Sequence, residues 1–244
     1  MFDIDREHPE YAARKATWRN YRDLYAGGDQ FKANATEYLV RRHREPLDVY
    51  YERLHRVFYE NYIGSIVDWY GATLFRREPI VTLQGENETG RSFFNRFVED
   101  CDLKGSCLSD FFRRILIESL VSGTAYILVD FPRSNGPAAN RAQEEADGQA
   151  RAYLVECGAQ DVINWQHDEM GNFEWIVLRT ESLCQSESGR GWTKETKWIQ
   201  YDKEEFRTYK RIEGQKSGEP QLVSQGRHGL ARQRRVPVFP FRLS

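Results

Sequence analysis

The sequence is poor in sulfur: four cysteines in 244 residues, Cys101, Cys107, Cys157 and Cys184, with no CxxC spacing. A structural zinc site needs paired ligands on tight turns, so these are expected to be free, buried thiols. Long apolar runs are also missing. No stretch approaches the roughly 18 residues of a membrane span, and even Phe111 to Pro132 is broken by Arg113, Arg114 and Glu118. The start, Met1 to Glu7, is acidic and lacks the apolar core of a secretory signal, so a soluble protein made in the cytoplasm is expected. No excess of one charge exists either: 35 Lys and Arg face 37 Asp and Glu, a net charge of −2. That balance excludes a whole-chain electrostatic grip on nucleic acid or anionic lipid. With 40% hydrophobic residues, the chain is neither collagen-like nor disordered and can bury a substantial core.

Catalytic signatures are equally scarce. Tyr126 to Asp130 resembles a Walker B strand ending in a carboxylate, but the GxxxxGK[ST] phosphate loop that must accompany it is absent, and Lys104-Gly105-Ser106 has the wrong order. Asp130 therefore reads as a loop cap. The five histidines, His8, His43, His55, His167 and His228, form no HExxH pair, and there is no GxSxG elbow. One enzymatic reading stays open. Asp100, Asp102, Asp110 and Asp130 could converge on a metal ion, giving a metal-dependent hydrolase or nuclease. Two basic clusters also stand out, Arg41-Arg42-His43-Arg44 and the acid-free set Arg227, Arg232, Arg234, Arg235 and Arg242. Arginine forks can meet phosphate, but a solvated loop or a subunit contact is the favoured reading of each cluster. Neither cluster is interleaved with the aromatics of a single-strand platform.

What is present is a helical first third followed by strands. Pro9 suits a first helical position, and Tyr11, Ala12, Lys15, Trp18, Tyr21, Arg22 and Tyr25 follow three-four spacing up to Gly27-Gly28. A loop with Lys32 and Tyr38-Leu39 is expected next. Glu45-Pro46 then opens a second helical region with Tyr50, Leu54, Val57 and Phe58 on its apolar face. That region bends near Asn61 and continues through Ile63, Ile66, Val67, Tyr70 and Leu74. Pro79 to Leu83 reads as a short strand. Phe93, Phe94, Phe97 and Val98 mark a short helix, and Leu108 to Ser119 a longer one capped near Ser106. Thr124 to Val129 reads as a strand covered on both faces. The stretch 133–149 is a polar surface insertion. Ala152–Glu156, Asn172–Thr180, Lys194–Tyr201 and Phe206–Ile212 are strand candidates of a mostly antiparallel sheet. The expected class is α+β, with a helical region over 1–78 packed on the sheet of 79–244.

In order along the chain, these segments resemble the portal proteins of tailed bacteriophages. The likeness is to a prophage subfamily described only as a domain of unknown function. It rests on His8-Pro9-Glu10-Tyr11, Trp18, Arg22-Asp23, Gly27-Gly28, Lys32 and Tyr38-Leu39. It continues through Tyr50, Arg53-Leu54, Phe58-Tyr59, Asn61, Val67-Asp68, Gly71 and Phe75 to Pro79. Asp102 to Gly105, Leu108 to Leu120, Gly123 to Pro132, Tyr153 to Val155 and Asp161 to Trp165 extend it, with a weaker echo at Val236 to Phe241.

The resemblance implies a structural protein of virion assembly, not an enzyme, with no catalytic residues, metal or cofactor. Such portals form rings, usually of about twelve subunits, at the procapsid vertex. They are made in the bacterial host cytoplasm, and no membrane is involved. Their partners are other portal subunits, capsid or scaffolding protein, terminase, and tail or connector proteins. Double-stranded DNA is packaged through the ring without sequence-specific binding. Which residues face DNA is not implied. Portals of this kind are about twice as long, so a wing-like portion is expected here, with stem, clip and crown absent and the isolated chain a monomer or weak oligomer. An adaptor that presents only the wing and interferes with portal assembly is a third reading. The portal reading also expects the Tyr50–Leu74 region to pack against a sheet built from Val121–Trp165 and Asn172–Ile212.

Overall fold

The structure is a computed structural model that describes residues 3–82, 84, 88–131, 151–186, 191–212 and 219–243. The insertion expected at 133–149 lies outside the described residues. Helix α1 (Pro9–Ala26) starts where Pro9 dictates, with the His8 ring nitrogen accepting from the Glu10 amide at 3.2 Å. It stops at Gly27, whose φ of +62° favours glycine. Its buried side is narrower than the expected stripe: Tyr11, Trp18 and Asp23 are buried, whereas Ala12, Lys15 and Tyr21 face water.

The stretch expected as a loop is helical, forming α2 (Gly28–Ala33) and α3 (Ala35–Tyr38). Asp23 is the reason. Its carboxylate is buried and accepts from the Gln30 amide, the Asn34 amide and the Tyr38 hydroxyl, each at 2.9 Å. Those three donors fold the segment over the end of α1, since a buried charge without partners would be very costly. Phe31 stacks on both Tyr38 and Tyr59, at 4.9 and 4.5 Å between ring centroids.

Helices α4 (Leu47–His55) and α5 (Tyr62–Leu74) meet at the expected bend. Asn61 accepts the Gly64 amide at 2.8 Å, capping α5, and donates to the Tyr25 carbonyl at 2.7 Å, serving an end carbonyl of α1. Tyr59 does the same for the Leu24 carbonyl at 2.9 Å. Residues 79–82 form no strand, correcting the expectation for Pro79–Leu83, whose last residue is undescribed. Helices α6 (Glu88–Glu99) and α7 (Leu108–Ser122) follow, α7 capped by Cys107 and ended by Gly123.

The strands form two sheets, both antiparallel, where one was expected. The first holds β1 (Thr124–Asp130) between β2 (Tyr153–Gly158) and β8 (Val238–Arg242). The second is a meander of β3 (Val162–His167), β4 (Phe173–Gln185), β5 (Trp192–Asp202), β6 (Glu205–Ile212) and β7 (Gln221–Arg227). Strand alternation assigns the layers. Ala125, Ile127 and Val129 pack with Phe111 and Ile115 of α7. Tyr126 and Leu128 point the other way, into a core with Val162, Ile176, Leu178 and Tyr201 of the second sheet. Strand β1 is therefore covered on both sides, as its unbroken apolar run implied. On the far face of the second sheet, Ile163, Val177 and Trp198 receive Tyr11 and Trp18 of α1. The fold is α+β, with the N-terminal helices laid against antiparallel sheets.

The second helical region is placed differently from expectation. Helix α5 packs chiefly on α7 and α1, and it is α7 that meets the first sheet. Glycine explains the choice. Gly64 and Gly71, seven apart and so on one face of α5, are its buried residues. A Cβ at Gly64 would sit 2.8 Å from the Tyr25 carbonyl oxygen, and one at Gly71 would sit 3.1 Å from Cγ1 of Ile117. Only the second neighbour is a side chain that can move. Gly64→Ala is expected to destabilise the protein by about 1–3 kcal/mol. Gly71→Ala should be near neutral, because a helix-propensity gain of up to about 1 kcal/mol offsets a small shift of Ile117. Urea unfolding of both variants checks the order; equal effects would contradict it.

Candidate interaction surface

The glycine face of α5 directs its large residues outward. Projected at 3.6 residues per turn, Tyr62, Ile63, Ile66, Trp69, Tyr70 and Leu74 cover an arc of roughly 140° on the side away from Gly64 and Gly71. All six are exposed, Ile66 by 55%, Trp69 by 61% and Leu74 by 62%. The stripe expected to be buried at Ile63, Ile66, Tyr70 and Leu74 is thus on the surface, and only Val67 is partly covered. Trp69 and Tyr70 meet edge-on at 5.1 Å. Phe58, 81% exposed, leads into this helix, and Ile80, 90% exposed, follows it. Only Ser65, Asp68 and Thr73 interrupt the apolar character of α5, which is more than its small buried face requires. Contiguous exposed apolar surface of this kind marks a place where something else docks.

The bases that precede this surface are partly consumed by the fold. Arg53 grips the buried Glu45 carboxylate with two hydrogen bonds of 2.9 Å, and the Arg42 amide adds a third at 3.0 Å. Arg41 donates to the Glu45 carbonyl at 2.8 Å. The Arg41-Arg42-His43-Arg44 cluster is therefore a turn wrapped around one glutamate. Of the second cluster, Arg234, Arg235 and Arg242 gather around a cavity beside β8, whereas Arg227 reaches towards Glu204 at 3.8 Å.

The four aspartates proposed to share a metal are engaged separately. Asp100 pairs with Arg151 at 2.7 Å and accepts the Gly105 amide. Asp102 accepts the Lys104 and Ser106 amides and faces Arg114 at 3.3 Å. Asp110 lies in the first turn of α7 against Arg113. Asp130 closes its own turn by accepting the Phe131 amide and is held by the Tyr153 hydroxyl at 3.1 Å, the loop-cap role read from the sequence. Among the described residues no group of three or more His, Cys, Asp or Glu is placed to hold a metal ion. All four cysteines are free thiols. Cys101 and Cys157 are buried, and burial pushes their pKa up to about 11 and about 12, so neither is a ready nucleophile. Among the described residues no helix is long and apolar enough to cross a membrane.

Two motif stretches far apart in sequence are brought together. His8 stacks on Trp165 at 4.1 Å, and its backbone amide donates to the Ile163 carbonyl at 2.8 Å. A scan against models of known protein families finds no match, and neither does a search of curated proteins.

The Glu45 clasp carries a pH signature. Hydrogen bonding from Arg53, then from the Arg42 amide, lowers the Glu45 pKa to about 2. A lowered pKa means that the stabilisation is complete above the ordinary carboxylate range and is lost as pH falls through that range towards 2. Glu45→Gln should therefore destabilise the protein clearly at pH 7 and progressively less between pH 4.5 and 2. Denaturant melts across that window check it; a constant difference would refute the clasp.

Proposed function

We propose that this chain is a portal-type assembly protein of a tailed phage or prophage, working through protein contacts at the procapsid vertex rather than through catalysis. The observation that carries the reading is the outward apolar face of α5, from Tyr62 to Leu74, on a helix whose other side is already packed. In a ring built from copies of one chain, every subunit must present surfaces that another copy covers. The α5 face has the aromatic and aliphatic character of such a contact, with few charges to desolvate. The order of segments shared with portal proteins, from His8 to Trp165, supports the same assignment.

The occupant of the α5 face is then a neighbouring copy. Capsid or scaffolding protein, terminase, and tail or connector proteins meet the assembled ring elsewhere. The near-neutral charge suits a protein whose assembly lets duplex DNA pass, since tight phosphate binding would hold it back.

The purified chain should be a monomer in exchange with weak oligomers. Mass photometry and sedimentation at increasing concentration read this directly. Ile66→Asp combined with Trp69→Ser should weaken association by about tenfold or more, because truncated aromatic anchors dominate interface energies. After induction of the source bacterium, wild-type protein should be recovered in DNA-filled particles and the double variant should not. A stable free ring of this chain would contradict the weak-association expectation alone, whereas its absence from particles would overturn the portal reading.

A further inference from the structure

A second surface is independent of that assembly role. Between the β3–β4 turn and strand β8 lies a cavity of about 630 Å³, within the range that holds a small ligand or a short peptide. Four cations line it, Lys203, Arg234, Arg235 and Arg242, against one carboxylate, Asp168. On a chain of net charge −2 this is a pronounced local excess.

The one acid is already spent. Asp168 accepts from the Met170 amide at 3.0 Å and the Asn172 amide at 2.9 Å, and Lys203 sits 3.5 Å away. Those contacts, with the Asn172 amide first, hold its pKa below the usual carboxylate range. Arg234 is partnered by Glu204 at 3.1 Å, and the Arg242 charge lies near enough to Tyr126 to oppose the burial that raises its pKa. Arg235 is different: it is exposed and has no hydrogen bond or ion pair among the described residues.

The backbone is bent to present it. Residues 231–233 form a 3-10 turn, and Arg234 follows at φ +50°, ψ +43°, a left-handed conformation that is uncommon for a residue with a side chain. Such strain persists where surrounding structure imposes it, and here it places two successive arginines at the cavity mouth before Val236 and Pro237 bury again.

The wall is apolar, with Val238, Phe239 and Pro240 of β8 contributing. A nucleic acid fits this poorly. The cations converge on a hollow and do not track a backbone, and the one buried ring, Phe173, is already covered by His167 at 4.6 Å and 24°. No open aromatic platform is left beneath the arginines for a base. Free phosphate would leave the apolar wall unused. A carboxylate flanked by an apolar side chain uses both features, since guanidinium forks match carboxylates in plane.

We infer that the Arg234–Arg235–Arg242 cavity beside β8 is a docking site for an acidic peptide segment of a partner protein, one that places a Glu or Asp carboxylate on Arg235 and an apolar neighbour against Val238 and Pro240, which share one face of β8.

The probe is a fluorescein-labelled peptide, acetyl-Phe-Glu-Asp-Phe-amide, titrated with the 244-residue chain and followed by anisotropy. Saturable binding that weakens with salt is expected. Its Gln-Asn counterpart and the Arg235→Glu variant should each bind about tenfold more weakly. Arg235 has no partners to lose among the described residues, so the variant should melt like wild type; Arg235→Ala, expected to be intermediate, provides a second reading. Absence of saturable binding, equal binding by Arg235→Glu, or tighter binding of a short DNA duplex or of inorganic phosphate than of the acidic peptide would each overturn the assignment.

Discussion

The structure hangs on how α1 is held by polar groups that cannot be left unpaired. Arg22 leaves the helix, passes over the backbone of Gly158, and pairs with Glu118 of α7 at 2.8 Å. Any side chain at position 158 would occupy the space the guanidinium crosses. Beneath it Asp161 is largely buried; burial raises its pKa, while the Gly158 amide, at 2.7 Å, and the Arg22 charge pull the other way. Around this centre the Trp18 indole donates to the Ser122 carbonyl at 3.0 Å, and the Tyr11 hydroxyl to the Gln160 carbonyl at 3.1 Å. Arg179 of β4 closes the set by donating to the Tyr11 hydroxyl at 2.8 Å. One helix thus fixes the end of α7, the β2–β3 turn and the second sheet relative to one another. Removing one partner of such a network leaves the others buried and unsatisfied, which costs more than the lost bond itself.

That anchoring determines what the remaining helices can do. With α1 seated, its C-terminal carbonyls at Leu24 and Tyr25 need donors, and Tyr59 and Asn61 supply them. Those two bonds aim the start of α5 at the end of α1, where only glycine can approach a carbonyl as Gly64 does. Gly71, two turns on, then lies against Ile117. Once both glycines are turned inward, the periodicity of the helix leaves Ile66, Trp69 and Tyr70 no inward position. The apolar surface is a geometric consequence of a close-packed inner face, and the sequence keeps it apolar despite its exposure to water.

This is why the sequence was legible for elements and misleading for faces. The limits of α1, the bend at Asn61, the helix before Gly123 and the strands β1, β2, β4, β5 and β6 follow from capping residues, proline, glycine and alternation, all of which act locally, whereas β3 was not among the strand candidates. Strand β7 carried no such mark, because Gln221 to Arg227 is mostly polar, with no alternation to mark a buried face. The helical segment after Gly28 depends on a buried Asp23 whose three donors are local in sequence yet leave no periodic trace. The outward face of α5 was read as core because hydrophobic spacing identifies a stripe and not its direction. The two sheets looked like one since register between distant strands, such as β1 with β8, is absent from local pattern. Seven of the residues quoted for the portal resemblance, His8, Tyr11, Trp18, Arg22, Asp23, Tyr59 and Asn61, bridge separate elements of the fold. The basic cavity drew on both kinds of information. The arginine cluster was visible as composition, but that Arg227 and Arg234 turn to Glu204 while Arg235 lines the cavity with no partner among the described residues emerged only from the fold.

The two surfaces also divide the physics of association between them. The α5 face offers area with few charges, so its contacts gain from the hydrophobic effect and tolerate salt. The β8 cavity offers a small apolar wall under unpaired positive charge, so its contacts weaken as salt rises and depend on the partner's sign. Strand β8 contributes a further restriction. The Val129 amide donates to the Pro237 carbonyl, and Ile127 faces Phe239, so the backbone of Phe239 points into the sheet and that of Pro240 points out. Of the residues whose backbone turns out at this edge, Val238, Pro240 and Arg242, the middle one is a proline and has no donor. A strand cannot zip fully onto β8, and an incoming segment must be recognised through side chains. An edge blocked in this way, beside an arginine with no partner among the described residues, favours selection by charge over non-specific pairing, while the α5 face is left to the broader apolar contact.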